Sequence, residues 1–212
     1  MLCPLCQHAD SLIATQGADE RTYLRCPRCY LIFTKQHLTR AEEEARYRTH
    51  QNGPQHDGHV NFLNRAITPA LAYLTKTQQG LDYGCGPVPT LSTILKEKHG
   101  ITCDDYDPIF YPKTPAGNYD FIFSTECFEH FFSPAKEIAR IKELLKPQGL
   151  LIIMSELWRD KTDLPTWYYF RDKTHVSFYH ASTFDYIAGS FGFVQLSCTD
   201  DRVIILKDNR PR

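Results

Sequence analysis

Gln79-Gly-Leu-Asp-Tyr-Gly-Cys-Gly-Pro-Val-Pro-Thr-Leu91 is the stretch on which the fold turns. The end of an apolar strand runs into Asp82, and two glycines, Gly84 and Gly86, follow with one residue between them. Leu91, Ile94 and Leu95 then stand at helical spacing, i, i+3 and i+4. Strand, tight turn and helix start is how an open α/β sheet presents backbone N–H groups to a nucleotide-like ligand. Lacking Cβ atoms, the two glycines tolerate positive φ and let a ligand approach the main chain. The third glycine of a dinucleotide fingerprint is absent, because Val88 stands there between Pro87 and Pro89. Taken alone, the stretch suits a plain strand-to-helix turn equally well, and the rest of the chain decides.

Downstream, residues 101–106 read as a second strand that ends at Asp107-Pro108. Asp107 lies twenty-one residues past Gly86, the spacing at which an acidic side chain reaches ribose hydroxyls; the plainer alternative is a turn aspartate before proline. Residues 121–124 (Phe-Ile-Phe-Ser) and 150–154 (Leu-Leu-Ile-Ile-Met) are continuous apolar runs, as expected of buried parallel strands. Between them Ser133-Pro134 opens a helix with proline at its first position, and Ile138, Ile141, Leu144 and Leu145 form its buried face. A further helix is expected over residues 183–192, with a closing strand pair at 194–198 and 202–206. Alternating strands and helices give an α/β fold with a doubly wound, mostly parallel sheet.

Upstream the chain changes character. Cys3-Pro-Leu-Cys6 and Cys26-Pro-Arg-Cys29 are separated by nineteen residues, so four thiolates can close a tetrahedron around Zn2+. Residues 11–15 and 22–25 have strand content, and Gly17-Ala18-Asp19 supplies a turn, which suits a zinc ribbon over residues 1–37. Two disulfides or a redox pair are the alternatives. His8 and His37 read as surface residues, since four sulfurs already complete the site. In residues 38–79 Thr39 caps a short helix with Glu42 and Glu43 near its start, and Asp57 opens a second helix. The intervening loop holds His50, His56 and His59; solvated histidines, a second metal site and a lid over the ligand pocket are its three readings.

Composition sets outer bounds. The chain has 212 residues and a formal net charge of −1, enough for one good-sized domain plus a small appendage, without a global basic field. Residues 1–50 hold seven Lys/Arg against six Asp/Glu with no basic run, which argues against nucleic acid as a partner. No apolar run is long enough to span a membrane, and the N-terminus lacks the pattern of a signal peptide. The remaining cysteines (Cys85, Cys103, Cys127, Cys198) are scattered, which suits reduced thiols in a cytoplasmic protein.

The set Leu81-Asp-Tyr-Gly-Cys-Gly86, Tyr106-Asp-Pro108, Tyr119-Asp-Phe-Ile-Phe-Ser-Thr-Glu-Cys-Phe-Glu-His130 and Leu144-Leu-Lys-Pro-Gln-Gly149 resembles the class I S-adenosylmethionine-dependent methyltransferases over roughly residues 60–207. Its order and spacing are similar to the branch that contains quinone-biosynthesis enzymes. With the four-cysteine ribbon in front, it looks like zinc-ribbon methyltransferases of mostly unassigned substrate. Ribosomal RNA guanine methyltransferases also carry such a ribbon, but no match to their catalytic segment is present. The resemblance implies that residues 80–212 are the cofactor-binding domain. In it Gly84 and Gly86 face the methionine part of S-adenosylmethionine, Asp82 its ammonium and Asp107 its ribose, while Thr125 and Glu126 border the sulfonium and the substrate. Two departures stand out. Val88 replaces the usual third glycine, and only eleven residues separate Asp107 from Tyr119, which implies a reduced or missing crossover.

Methyl transfer mainly requires that the nucleophile be positioned and desolvated, sometimes with removal of its proton. The long aromatic insertion at residues 156–180 is the expected substrate wall. Trp167, Tyr168 and Tyr179 are its candidate pocket residues, Arg171 a candidate anion clamp, and His175 or His130 a candidate general base. The plainer alternative is that the aromatics cover the sheet edge and Arg171 pairs with Asp172 at the surface. A small-molecule or carrier-linked substrate is the leading reading. An RNA substrate docked by the ribbon and a non-catalytic scaffold whose ribbon recruits a protein partner are the alternatives.

Overall fold

In the computed structural model, residues 1–49, 52–200 and 202–211 are described. The ribbon supplies β1 (Ile13–Gln16), β2 (Thr22–Arg25) and β3 (Ile32–Phe33), and two helices follow, α1 (Arg40–Tyr47) and α2 (Asp57–Ala70). Next come β4 (Gln79–Tyr83), α3 (Thr90–Ile94), β5 (Thr102–Tyr106), β6 (Tyr119–Thr125), α4 (Pro134–Leu144) and β7 (Leu145–Met154). The chain closes with β8 (Ser177–Phe178), α5 (Ala181–Phe191), β9 (Phe193–Thr199) and β10 (Val203–Asp208). His50, first of the three loop histidines, lies outside the described residues.

Six strands form the main sheet in the order β5-β4-β6-β7-β10-β9. The first four run parallel, and β10 and β9 are added antiparallel. Period-two alternation explains why the apolar runs are continuous. Phe121 and Phe123 of β6, with Ile152 and Met154 of β7, pack under α2 and α3, whereas Ile122, Leu151 and Ile153 face α4 and α5. Both faces are covered, so both sets of side chains must be apolar. Thr39 caps α1 through a reciprocal box with Glu42, as its sequence requires.

The eleven residues between Asp107 and Tyr119 hold no helix, only a turn pinned by a bridge between Asp107 and Tyr111. This leaves β5 as the sheet edge and β4 at the point where strand order reverses, the place where open sheets bind ligands.

The ribbon differs from the expected appendage in one respect. Its strand β3 pairs antiparallel with β8 from the aromatic insertion, giving a second sheet in the order β1-β2-β3-β8. Leu5, Leu31 and Phe33 share a core with Phe128, Tyr179 and Phe184, so the short segment buries its apolar residues against the larger sheet. Arg21 tightens the joint: its guanidinium donates to the carbonyl oxygens of Phe170 (3.0 Å), Asp172 (3.2 Å), Lys173 (3.0 Å) and His175 (2.8 Å).

Candidate active site

A cavity of about 1260 Å3 lies over the C-terminal ends of β4 and β6 and extends to α1, α2 and the insertion. Asp82, Gly84, Gly86, Asp107, Thr125 and Glu126 all line it. Gly84 has φ +89° and Gly86 φ +68°, in the left-handed region that favours glycine. A Cβ on Gly84 would sit 2.3 Å from Cys127 Sγ, whereas one on Gly86 meets no protein atom within 4 Å. Gly84 therefore packs against the protein, and Gly86 leaves an open cradle. Val88 is 38 % exposed on the cavity rim, so the missing third glycine does not close the turn.

Asp82 is buried, and its Oδ1 has no hydrogen-bond partner among the described residues. Burial, followed by the nearby Asp105 and Asp107 carboxylates, holds its pKa well above the ordinary carboxylate range. An orphaned carboxylate oxygen at the cavity floor suits a cationic group such as the ammonium of S-adenosylmethionine. Asp107 is more occupied than its sequence position implies. Its carboxylate accepts from the N–H groups of Gly86 (3.1 Å), Ile109 (2.8 Å) and Phe110 (3.0 Å), which ties the glycine turn to the end of β5. Three of roughly four acceptor directions are thus engaged.

Beyond the strand ends lies a polar network. Glu126 has φ +47° at the close of β6, a strained conformation of the kind that gathers at functional sites. Burial, then the adjacent Glu129 carboxylate, pushes its pKa up to about 8, against the pull of Arg202 at 3.1 Å. Tyr169 donates to Glu129 and also lies 3.3 Å from Glu126. Ser155 donates to the other Glu129 oxygen at 3.0 Å. His175 is lowered to about 4, chiefly by burial and then by the neighbouring His130, so it is neutral at ordinary pH. The Nδ1 of His175 is 2.8 Å from the Tyr169 carbonyl, and that of His130 is 3.0 Å from the Thr174 carbonyl and 3.2 Å from the Tyr47 hydroxyl.

The aromatic insertion divides. Tyr168, Arg171, His130 and His175 line the cavity. Tyr179 does not: it is fully buried, its hydroxyl donating to the Phe128 carbonyl at 3.0 Å, because β8 carries it into the core under α5. Trp167 is also turned away. Its ring packs on Phe170 at 5.5 Å between centroids, and its Nε1 donates to Glu156 at 3.2 Å. Arg171 is exposed, and Asp172 pairs instead with Arg46 of α1 at 2.8 Å. Sequence reasoning missed Tyr169, Arg202 and Tyr47. Arg202 and Tyr47 sit far along the chain from the motifs, and no local pattern marks them. Tyr169 sat unremarked within an aromatic run.

The four ribbon cysteines are buried and free of disulfides, with their sulfurs all within 4.8 Å of one another. Cys3 and Cys29 are 3.6 Å apart and Cys6 and Cys26 3.4 Å, close to the roughly 3.8 Å edge of a tetrahedron with Zn–S bonds of about 2.3 Å. The donor set fits zinc.

The family model described as "Methyltransferase domain" matches residues 33–197. A solved chain from the complex between the Haloferax volcanii Trm112 methyltransferase activator and a provisionally assigned methyltransferase is similar with a TM-score of 0.60 and 12 % identity, over 82 % of this chain and 100 % of that one. An O-methyltransferase family protein from Burkholderia thailandensis gives a TM-score of 0.56 and 15 % identity, over 79 % of this chain and 62 % of that one. A provisionally assigned sarcosine dimethylglycine methyltransferase from Galdieria sulphuraria gives 0.54 and 14 %, over 71 % and 85 %. No curated protein matches the sequence. The sheet order, the glycine cradle with its orphaned acid, and a family match over most of the chain converge on one conclusion: the chain belongs to the methyltransferase-domain family and is an S-adenosylmethionine-dependent methyltransferase.

Proposed function

We propose that this enzyme methylates a small molecule or a carrier-linked metabolite held between the glycine cradle and the insertion. The observation that carries this reading is the size and lining of the cavity. At about 1260 Å3 it exceeds the roughly 300–1,000 Å3 typical of a single ligand pocket, which leaves room for an acceptor beside the cofactor. In this reading Asp82 takes the ammonium, Gly84 and Gly86 let the methionine end approach the main chain, and Asp107 holds the ribose. When bound there, S-adenosylmethionine would supply an electrophilic methyl carbon for the acceptor. Thr125 and Glu126 border that point from the end of β6, and His130 and His175 meet the polar end of the acceptor. Tyr168 and Arg171 close the outer wall.

Helix α1 serves as a cover. Arg40 donates to the Pro108 carbonyl at 2.8 Å and Arg46 pairs with Asp172, so α1 is fastened on both sides of the cavity. Closing such a cover excludes water from the transfer. The ribbon binds structural Zn2+ through Cys3, Cys6, Cys26 and Cys29 and braces the insertion through β3 and Arg21. Among the described residues its first strand, β1, is the edge of its sheet, on which a protein partner can add, and the Haloferax match comes from a complex with an activator. No helix among the described residues is long and apolar enough to cross a membrane, and the scattered free thiols support a reducing, cytoplasmic setting.

The test is incubation with methyl-labelled cofactor and fractionated cell extract. Label entering the metabolite fraction is expected. Label entering RNA, in a salt-sensitive manner, favours the ribbon-docked alternative. A chain that binds the cofactor but labels no fraction would overturn the reading.

A further inference from the structure

Three ligating side chains converge apart from the ribbon: His130 and His175 line the cavity, and Glu129 lies buried directly behind them. Glu129 and His130 follow β6, and His175 precedes β8; one ligand atom from each lies within 4.8 Å of the others. Glu129 is fully buried and His175 is 9 % exposed. We propose that Glu129, His130 and His175 bind one divalent transition-metal ion whose open coordination positions face the cavity and take oxygen donors of the methyl acceptor.

The hydrogen bonds around the three residues are those of a prepared site. Each imidazole places its Nδ1 against a main-chain carbonyl, His130 against Thr174 (3.0 Å) and His175 against Tyr169 (2.8 Å). That contact requires the proton on Nδ1 and leaves the Nε2 lone pair for a ligand. Among the described residues no hydrogen bond to either Nε2 is found. Glu129 is oriented in the same way, with Ser155 on one oxygen and Tyr169 on the other. Second-shell partners of this kind fix metal ligands in place. Arg21 adds rigidity, because four of the carbonyls that shape the 170–175 segment converge on its guanidinium.

Three protein ligands, rather than four, are the mark of a site that keeps positions open for substrate. The ribbon contrasts with it: its four thiolates saturate a zinc ion and leave nothing to bind. Two imidazoles and a carboxylate suit Mn2+, Fe2+, Co2+ or Zn2+. Ligand atoms about one such ion stand roughly 3 Å apart, so the observed spread closes by small side-chain rotations on binding. A coordinated imidazole nitrogen has no lone pair left for a proton. The two histidines then act through the metal and not as general bases. Metal binding stands independently of the proposed function; only the placing of the acceptor on the metal rests on it.

The experiment uses the full chain with the ribbon filled by Zn2+, titrated with Mn2+ and followed by electron paramagnetic resonance. Mn2+ does not displace zinc from thiolates, which favour the softer ion. One bound Mn2+ per chain is expected, with the imidazole NMR signals of His130 and His175 broadened before those of His8, His37, His56 and His59. His130→Gln and Glu129→Gln should each weaken Mn2+ by at least about tenfold, while His99→Ala, outside the cavity, leaves it unchanged. Should Glu129→Gln fail to fold, the broadening order in the unsubstituted chain decides alone. Calorimetry with S-adenosylmethionine on the same samples separates the two readings. Cofactor binding with no bound Mn2+, or with other histidines broadened first, overturns the metal site and spares the methyltransferase reading. Bound Mn2+ at His130 and His175 without cofactor binding upholds the site and counts against the other.

Discussion

Asp82→Asn tests the cofactor cradle at its most exacting point. The Asp82 carboxylate is 2 % exposed, and its Oδ1 lacks a partner. A cationic amino group arriving there makes at least one charge-assisted hydrogen bond, worth roughly 1.5–3 kcal/mol, so the amide should weaken S-adenosylmethionine binding about 10- to 150-fold. The proton balance gives a second readout. Burial and the neighbouring carboxylates raise the Asp82 pKa in the free enzyme, and a bound ammonium lowers it again. Below the raised value, binding therefore expels a proton, and affinity climbs with pH by up to about tenfold per unit. Calorimetry in two buffers of different ionisation enthalpy measures that proton directly. Asp82→Asn should abolish the release and flatten the pH dependence. Binding reduced by less than about twofold, with proton release intact, would refute the assignment of the ammonium to Asp82.

Four further outcomes follow from the same structure. Gly86→Ala adds a Cβ to the open cradle and should impair cofactor binding with a stability loss of only about 1 kcal/mol, whereas Gly84→Ala meets Cys127 and should destabilise the fold more; thermal melts with and without cofactor distinguish them. Tyr179→Phe removes a buried bond to the Phe128 carbonyl and should cost about 1–2 kcal/mol in denaturant titration without altering cofactor affinity; a selective loss of activity would return Tyr179 to the substrate wall. Burial opposes ionisation of Asp172, but the Thr174 hydroxyl and N–H, His175 and Arg46 together hold its carboxyl below the usual range. Its stabilising contribution is therefore complete above the unfolded value of about 4 and is lost as pH falls through the folded one; Asp172→Asn should flatten the acid limb of the stability curve. Chelating the ribbon metal should loosen β3 from β8, so proteolysis should cut within residues 156–176; an insertion as protected as before would show that the ribbon does not brace it.

Much of the architecture was legible because it is written in local patterns. The apolar runs of β6 and β7 announce strands covered on both faces, and Thr39 with Glu42 announces a cap. The short span between Asp107 and Tyr119 foretold the missing crossover, since eleven residues cannot build a helix and a strand. The cysteine spacing similarly foretold the four converging sulfurs. Contacts between distant segments were not legible. The pairing of β3 with β8 joins two-residue strands that carry no periodicity. Nothing near Arg21 signals that it will collect carbonyls from residues 170–175. The aromatic insertion misled for a related reason: Trp167, Tyr168 and Tyr179 look alike in sequence, and only tertiary packing sends one to the cavity and two away from it. Asp107 shows the limit of spacing rules, because its position matches a ribose ligand while its carboxylate already staples the glycine turn.

The central claim is that the cradle from Asp82 to Gly86, together with Asp107, grips the cofactor at the C-terminal rim of the sheet. A crystal structure of the chain with S-adenosylhomocysteine tests it most directly. The account predicts the amino group on Asp82 Oδ1, the chain of the ligand passing over Gly86, and the ribose at Asp107. A ligand bound elsewhere, or an empty cradle at saturating concentration, would contradict it.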